Sequence, residues 1–349
     1  MTGAPLHRAT KELTAGRTLS ADLADAAFAE LLDKSSEADT AIFLTALAHK
    51  GTHVDELLAA LRALQDRAIA PADAPSCIDI VGTGGDHSGS VNVSTISAIL
   101  ASAVGSTVAK VGNRAATSRC GSADLLEGLG VPTDYGPHIA DRLRRHHFAF
   151  LFSRAVHPSL DRLASVRRSL GFPTIFNQLG PLGNPVPLAG AIIGVTTPSD
   201  QELLAEAVSR LGRVNTWIVR GADGMDELTT TGVARVLTVS TGRSDRFVLD
   251  PAEWGMAPAT IGELAGGNLA TNMVLTRNAL AGKGSHAIRQ TCALNAAAAL
   301  HVGGRGDLDT CLSLVSDAIA SGAAIDQLRR LSQPSTDCPE ENVTCISTR

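Results

Sequence analysis

Glycine and hydroxyl residues are concentrated in one short stretch of this chain. Residues 82–86 read Gly-Thr-Gly-Gly-Asp and directly follow an apolar run at 78–81, which predicts a buried strand that ends in a turn. Residues 91–95 then predict the start of a helix, whose free backbone N–H groups and positive dipole end attract anions. A lone glycine cluster is more often a purely structural turn. Here the polar side chains that follow favour phosphate binding: Ser88, Ser90, Asn92, Ser94 and Thr95.

A second loop of similar character spans residues 110–122. It again follows an apolar run and precedes a helix predicted at 123–129. Lys110 and Arg114, with neighbouring hydroxyls, carry the donors that pair with phosphate oxygens. Neither loop closes with the Gly-Lys-Ser/Thr of a P-loop, and neither contains the GxGxxG pattern of a dinucleotide site. Both observations argue against a nucleoside triphosphate or NAD as the ligand.

Carboxylates lie close together at Asp223, Asp226 and Glu227, after the strand predicted at 216–219. From the residues alone, this is either a solvated acidic turn or a site for a hard cation, for which carboxylate oxygens are good ligands. The two phosphate-type loops make the second interpretation more coherent, because Mg²⁺ commonly bridges protein carboxylates and substrate phosphates. The sequence therefore favours a magnesium-bridged diphosphate substrate.

Hydrophobic periodicity divides the chain into a helical part and an α/β part. Apolar residues recur at helical spacing from 6 to 70, with Ser20 and Ser36 as predicted N-caps, and the Pro- and Ala-rich residues 71–75 form a linker. Short apolar runs then alternate with helical stretches such as 201–211, which predicts mostly parallel strands with crossover helices. The predicted strands are 78–81, 107–111, 149–152, 189–195, 216–219 and 235–239. Further helices are predicted at 160–170, 270–280, 287–300 and 308–321.

The predicted fold class is α/β, with a small all-helical N-terminal domain and a large α/β domain around a mostly parallel central sheet. The helical domain is expected to span residues 1–72 and to be completed by the helix and hinge segment around 160–187. Within that segment, residues 176–185 contain too many Pro and Gly residues for regular structure, so we expect an irregular crossing. Residues 76–331 form the predicted α/β domain, and residues 332–349 a polar, disordered tail.

Composition excludes several classes of function. The 349 residues include 30 Lys and Arg against 35 Asp and Glu, a net charge of -5 that offers no general attraction for nucleic acid or an anionic membrane. The apolar stretch at 293–302 is about half of the ~20 residues that a bilayer span needs, and Lys11, Glu12 and Arg17 lie where a signal peptide is apolar. The six cysteines form no CxxC pair, which argues against a zinc site or a disulfide framework. We expect a cytoplasmic protein without nucleic-acid or membrane partners.

Six motifs, taken in order, resemble those of the anthranilate phosphoribosyltransferase family. They are Gly-Thr-Gly-Gly-Asp at 82–86, Asn-Val-Ser-Thr at 92–95, Lys-x-Gly-Asn-Arg at 110–114, Gly-Ser-Ala-Asp-Leu-Leu-Glu at 121–127, Thr-Ile-Phe-Asn-x-Leu-Gly-Pro-Leu-x-Asn-Pro at 174–185 and Gly-x-Asp-Glu at 224–227. The resemblance extends from the N-terminal helices to about residue 331. Such a series is far more specific than any one of its motifs.

The resemblance implies a transferase of nucleoside-phosphorylase-like architecture that acts in tryptophan biosynthesis, usually as a homodimer. Its substrates would be anthranilate and 5-phosphoribosyl 1-diphosphate, with Mg²⁺ as the cofactor. Contacts to this donor are implied for Gly82, Gly85, Asp86, Ser90, Asn92, Val93, Ser94, Thr95, Lys110, Ser118 and Ser122. The implied magnesium ligands are Ser94, Asp226 and Glu227. The implied anthranilate contacts are Gly82, Asn113 and Arg167, with Arg168 as the adjacent possibility.

The implied chemistry demands no strong general base, because an aniline nitrogen is already neutral at pH 7. Mg²⁺ and backbone amides would stabilise the charge that accumulates on the departing diphosphate as the C1–O bond breaks. Lys110, Asn113 and Arg167 are accordingly assigned positioning roles, and no residue is assigned an obligatory acid or base role.

Val111 departs from the family pattern, in which the second position of the Lys-His-Gly-Asn-Arg motif is typically histidine and borders the acceptor. Valine neither donates a hydrogen bond nor carries a charge, and the loss of one such bond costs about 1–3 kcal/mol. This substitution is compatible with an alternative function, in which the same donor serves another aromatic amine or a nucleobase, or in which a nucleoside is cleaved by phosphate. A non-catalytic relative that binds nucleic acid is disfavoured by the net charge of -5 and by the intact donor loops.

Overall fold

Four helices form the N-terminal part of the computed structural model, which describes residues 4–115, 119–134 and 136–333. They are α1 (Pro5–Thr14), α2 (Ala21–Asp33), α3 (Glu37–Lys50) and α4 (Val54–Gln65). Both predicted serine caps stand at the N-cap position. The Oγ of Ser36 accepts a hydrogen bond from the Asp39 N–H, whereas Ser20 makes no such bond.

Seven strands in the described part of the chain form one mixed sheet. They are β1 (Cys77–Gly82), β2 (Val108–Gly112), β3 (Phe148–Phe152), β4 (Leu188–Gly194), β5 (Thr216–Gly221), β6 (Ala234–Ser240) and β7 (Arg243–Leu249). Their order is β3-β2-β1-β4-β5-β6-β7; β1 to β5 run parallel, and β6 and β7 pair antiparallel. The predicted mostly parallel sheet is confirmed. The ends of β1 to β5 lie along one margin of the sheet, called here the carboxyl edge.

Helices cover both faces of this sheet. Those after β1 are α5 (Val93–Ala103), α6 (Ser122–Gly128), α7 (Ile139–His146), α8 (Ser153–Val156), α9 (Ala164–Leu170), α10 (Ile175–Leu179), α11 (Pro198–Arg210), α12 (Leu269–Leu280), α13 (His286–Val302), α14 (Leu308–Ala320) and α15 (Ala323–Leu331). α5 and α13 share one apolar core with Ile80 and Val219. On the other face, a second core joins α1 to α4 and α11 with Ile193 and Ile218. The helical part is therefore attached to the sheet by continuous apolar contact.

The crossing at residues 176–185 is more regular than predicted. α10 and a 3-10 turn at Gly180–Leu182 occupy most of it. Its apolar side chains, Phe176, Leu179 and Leu182, are buried against the helical part, and this burial outweighs the effect of the Pro and Gly residues. The helix predicted at 160–170 is instead a 3-10 turn at Pro158–Leu163 followed by α9.

Among the elements that the sequence did not predict, three give weak periodic signals: β7, α7 and α15. β7 is exposed along almost its whole length and reads Arg-Ser-Asp-Arg before its apolar end. α7 and α15 are short, charged helices that bury only a narrow stripe of three or four residues each. Within the described residues, no single helix is long and apolar enough to cross a bilayer; α14 and α15 together meet that criterion but are bent by 74°.

Candidate active site

Asp226 lies between the carboxyl ends of β1 and β4, where only glycine fits. A Cβ on Gly82 would stand 2.2 Å from the Asp226 Oδ2, and a Cβ on Gly194 would stand 1.5 Å from the Asp226 carbonyl oxygen. After β1, Gly84 (φ 69°) and Gly85 (φ 82°) adopt left-handed conformations that turn the backbone toward the acidic loop. Sequence reasoning identified Gly82 and missed Gly194, which has no glycine-rich motif around it.

The acidic pair is held by backbone N–H groups. Oδ2 of Asp226 accepts from the Gly84 N–H at 2.7 Å, and Oε1 of Glu227 accepts from the Ser94 N–H at 3.3 Å. Burial, reinforced by Asp86, raises the pKa of Asp226 to about 6. Burial and then the neighbouring Asp226 raise the pKa of Glu227 well above its usual value. Oε2 of Glu227 is buried and has no hydrogen-bond partner among the residues described.

Lys110 lies beneath this pair, with only 2% of its surface exposed. Its Nζ donates to the Ile80 carbonyl (2.8 Å) and to Oγ of Ser94 (3.1 Å). Burial lowers the pKa of Lys110, against the opposing effect of Asp79 and of the acidic pair. Lys110 therefore holds the Ser94 hydroxyl by a hydrogen bond and lies close enough to the acidic pair to interact with its charge.

The oxygen atoms at this point suit Mg²⁺. Asp226, Glu227 and Ser94 bring two carboxylates and a hydroxyl together, and the buried Oε2 of Glu227 has no partner in the described part of the chain. The residues that the structure describes contain no group of three or more His, Cys, Asp or Glu suited to a metal ion. Since Mg²⁺ usually takes one or two protein carboxylates and completes its shell with water and phosphate, such an incomplete set fits it.

The other predicted donor contacts surround the start of α5. Asn92 is the N-cap residue; its Nδ2 donates to the Cys120 carbonyl, and its Oδ1 accepts from Asn272, both at 3.0 Å. Val93 and Thr95 are fully buried, so their side chains pack in the core. The predicted Thr95 hydroxyl is thus not exposed at the loop surface.

The glycine loop in front of α5 is partly exposed. Asp86 and Ser90 are half-buried, and Oγ of Ser90 accepts from Oγ of Ser88 at 3.1 Å. Ser122 begins α6, with Oγ donating to the Asn113 carbonyl at 3.2 Å. The predicted Ser118 contact lies outside the described residues.

Arg114 has a different role from the phosphate contact that its sequence position suggested. Its guanidinium pairs with both oxygens of Glu127 (2.7 and 2.8 Å) and with Asp124 (3.1 Å), and it lies 5.7 Å from the centre of the Phe152 ring. The positive charge of Arg114 is therefore paired with two carboxylates of the adjacent α6. Arg114 fixes the second loop onto α6.

A cavity of about 230 Å³ lies between α9, α10 and the ends of β1 and β2, and Gly82, Asn113 and Arg167 all line it. The guanidinium of Arg167 lies 5.3 Å from the centre of the Phe176 ring, and within the described ranges no carboxylate pairs with it. Arg168 is exposed and does not line the cavity. The structure thus brings together the three residues predicted for the acceptor.

Apolar residues and a histidine complete the cavity wall. Val111, 5% exposed, lies on it together with Val81 and Leu64. His157 is buried, and its Nε2 lies 2.7 Å from the Gly183 carbonyl. Burial lowers the pKa of His157, so its imidazole is neutral at pH 7. A single histidine before Pro158 gave no spacing signal in the sequence.

Comparison with known proteins shows similarity over almost the whole chain. The model of the glycosyl transferase family a/b domain matches residues 74–325, and the model of the helical bundle domain of the same family matches residues 7–68. An anthranilate phosphoribosyltransferase of Methylorubrum extorquens is 42% identical over 322 residues, which cover 91% of this chain and 95% of the relative.

Solved structures agree with these matches. The anthranilate phosphoribosyltransferase of Thermus thermophilus has a TM-score of 0.84 and 37% identity, covering 93% of this chain and 98% of that one. The Saccharomyces cerevisiae enzyme, solved in complex with PRPP and Mg, has a TM-score of 0.84 and 26% identity. The match covers 95% of this chain and 97% of that one.

Proposed function

The chain belongs to the anthranilate phosphoribosyltransferase family, and we propose that it transfers the phosphoribosyl group of 5-phosphoribosyl 1-diphosphate to the amine of anthranilate. The products are N-(5-phosphoribosyl)anthranilate and diphosphate, in tryptophan biosynthesis. One observation carries this proposal. Gly82 both contacts Asp226 of the acidic pair and lines the cavity that contains Arg167. A donor held at the first site and an amine held at the second would therefore meet at Gly82.

The donor half rests on the glycine loop, the start of α5 and the acidic pair. Mg²⁺ bound there would offset the negative charge of the diphosphate and help it to leave. Asp226, Glu227 and Ser94 are the proposed ligands, supported by the buried Oε2 of Glu227, to which no described residue donates a hydrogen bond. Lys110 orients Ser94 by the hydrogen bond from Nζ to Oγ. The positive dipole end of α5 lies at the same place, where the Ser94 N–H donates to the Glu227 carboxylate.

The acceptor half rests on Arg167. Arg167 is half-buried on the cavity wall, lies over the Phe176 ring and pairs with no carboxylate of the described residues, so it suits the carboxylate of anthranilate. The apolar wall at Val81 and Val111 accommodates the ring. Asn113, on the same wall, is placed to contact the amine or the carboxylate. These side chains orient the acceptor and exclude water from it.

In the proposed reaction, the C1–O bond to diphosphate breaks as the amine nitrogen forms a bond to C1. The amine nitrogen, now bonded to C1, then loses one proton to solvent. Because the attacking amine is neutral, this chain needs to supply position rather than a base; alignment of two bound reactants contributes up to about 7–11 kcal/mol in ideal intramolecular cases. His157 and Lys110 are each held by a contact with a backbone carbonyl, which suits support roles.

The proposal includes a division into two domains, residues 1–72 with 160–187 and residues 76–331. The core shared by α1 to α4, Leu163 and Phe176 supports the first of these. The predicted tail at 332–349 lies outside the described residues after residue 333. A homodimer is also proposed, on family membership alone. The proposed compartment is the cytoplasm, because a phosphorylated sugar diphosphate does not cross membranes unaided.

A comparison of several acceptors tests this function directly. Purified protein is supplied with 5-phosphoribosyl 1-diphosphate, Mg²⁺ and one acceptor at a time: anthranilate, 3-aminobenzoate, 4-aminobenzoate, aniline or adenine. We expect mass spectrometry to detect the phosphoribosyl adduct of anthranilate, with kcat/KM well above that of every other acceptor. Adduct with another acceptor and none with anthranilate would contradict the proposal.

A second candidate function keeps the donor and changes the acceptor. Val111 favours it, because the cavity wall at this position offers no hydrogen bond to a polar acceptor group. An aromatic amine or nucleobase that buries an apolar edge against Val111 would be the preferred substrate. The same comparison of acceptors distinguishes this function from the first.

A further inference from the structure

α13 supports both parts of the proposed magnesium site from the same side. Oγ of Ser97, one turn after Ser94 on α5, donates to the Cys292 carbonyl at 2.9 Å. Three residues further along α13, Asn295 contacts Leu228, which directly follows Glu227. α13 is buried almost throughout and packs extensively on α5, so it is a rigid base for both segments.

Asn295 holds both backbone groups of Leu228. Its Oδ1 accepts from the Leu228 N–H (3.1 Å), and its Nδ2 donates to the Leu228 carbonyl (2.6 Å) and to the Thr291 carbonyl (2.9 Å). The asparagine is 1% exposed, and Leu228 is fully buried and lies outside any helix or strand. One side chain therefore replaces the backbone partners that regular structure would provide.

A second bond reinforces this attachment. The hydroxyls of Thr230 and Thr291 lie 2.8 Å apart, and both residues are buried. On the other side of Glu227, the Asp226 carbonyl is pressed against Gly194. The acidic pair is thus fixed at both ends, by β4 before it and by α13 after it.

We propose that Asn295 is a positioning residue for the magnesium site, acting through Leu228 to hold the Glu227 carboxylate beside Ser94. The inference rests on the proposed function, because it assumes that the acidic pair binds Mg²⁺ with the diphosphate donor. Removal of a group that orients a metal ligand typically lowers metal affinity or activity by about 10- to 100-fold. Asn295 does not line the acceptor cavity, and its hydrogen bonds within the described residues go to Leu228 and Thr291, which do not line it either.

The test compares Asn295→Leu with Gln201→Leu. Gln201 is a matched control because it is also buried and its side-chain amide donates to two backbone carbonyls, those of Ile218 (2.8 Å) and Arg235 (2.9 Å). It lies on α11, on the face of the sheet opposite α13. The main readout is the thermal stabilisation produced by 5-phosphoribosyl 1-diphosphate as Mg²⁺ is titrated, without acceptor. Steady-state KM values for the donor and for anthranilate are measured in parallel.

For Asn295→Leu, the Mg²⁺ concentration at half-maximal stabilisation is expected to rise about tenfold. Its KM for anthranilate is expected to stay within about twofold of wild type at saturating Mg²⁺. Gln201→Leu, which also removes two buried hydrogen bonds, is expected to keep the wild-type Mg²⁺ midpoint. An unchanged midpoint in Asn295→Leu, or an equal rise in both variants, would overturn the inference.

Thr230→Val gives a milder second variant if Asn295→Leu does not fold. It removes only the hydroxyl pair with Thr291, and the Mg²⁺ midpoint is expected to rise in the same direction by a smaller factor. A midpoint equal to wild type in this folded variant would overturn the inference. A wild-type chain that gains no stability from donor plus Mg²⁺ would overturn the proposed metal site itself, and the inference with it.

Discussion

The backbone N–H of Gly84 donates a 2.7 Å hydrogen bond to Oδ2 of Asp226, across 142 residues of sequence. Parallel pairing of β1 with β4 and of β4 with β5 makes this contact possible, because their carboxyl ends lie side by side. The glycine loop and the acidic loop therefore form one unit. Any change that separates them is expected to act on donor and metal binding together.

Gly82→Ala tests the close packing at this unit. The added methyl group would stand 2.2 Å from the Asp226 Oδ2, so the carboxylate must move. We expect the Mg²⁺ concentration for half-maximal activity to rise at least about tenfold, in line with the loss of a well-placed metal ligand. Gly232→Ala is the control, since its Cβ would meet nothing within 4 Å. Equal kinetics in the two variants would contradict the packing argument.

The pH dependence of stability tests the burial of the acidic pair. The pKa of Asp226 is raised from 3.8 to about 6, and burial raises the pKa of Glu227 well above its usual value. Between about pH 4 and 6, the unfolded chain has lost the Asp226 proton while the folded chain retains it. The folded state then binds more protons, so stability falls as the pH rises through this window.

The measurement is the thermal midpoint of metal-free protein from pH 4.5 to 7.5. We expect it to fall less steeply in Asp226→Asn than in wild type, because the amide does not titrate. Asp79 has a similarly raised pKa, about 6, and remains in both proteins, so the difference between the two curves reports Asp226 together with its effect on the neighbouring Glu227. Parallel curves would show that Asp226 is not held protonated.

Arg167→Lys tests whether Arg167, rather than the adjacent Arg168, binds anthranilate. Lysine keeps the charge and loses the planar group that stacks on Phe176, so we expect KM for anthranilate to rise about tenfold with donor KM unchanged. Arg168→Lys, on an exposed position of the same helix, is expected to match wild type. If Arg168→Lys alone raises the KM for anthranilate, the acceptor assignment belongs to Arg168.

Val111→His tests the departure from the family motif. Histidine would restore a hydrogen-bonding group on the cavity wall, and one such bond is worth about 1–3 kcal/mol. We expect the KM for anthranilate to fall about tenfold and the KM for the donor to stay constant. Val111→Ile controls for added volume and is expected to give no such gain. Steady-state kinetics at saturating Mg²⁺ provide the comparison.

Much of the architecture follows from local sequence patterns. The strands β1 to β6 are buried along most of their length and are rich in apolar residues, so short apolar stretches in the sequence indicate them. β7 and α15 bury little and escape this signal. The regular turns at Ile175–Leu179 and Gly180–Leu182 depend on burial against the helical part, which no local pattern of Pro and Gly reveals.

The site residues likewise fall into those that the sequence indicates and those that only the fold shows. Residues within motifs, such as Asp226 and Ser94, were found from sequence, and family resemblance singled out Arg167. Gly194 and Asn295 act through contacts with distant segments, and only the fold shows them. Arg114 shows the converse, because its charge suggested phosphate while Glu127 of the next helix occupies it.

The most direct test of the proposed transfer is the loss of anthranilate fluorescence in the presence of 5-phosphoribosyl 1-diphosphate and Mg²⁺. Wild type is compared with the double variant Asp226→Asn, Glu227→Gln, both checked for folding by circular dichroism. We predict rapid, Mg²⁺-dependent loss for wild type and at least a hundredfold slower loss for the double variant. Equal rates in the two proteins, or no loss with wild type, would contradict the proposed function.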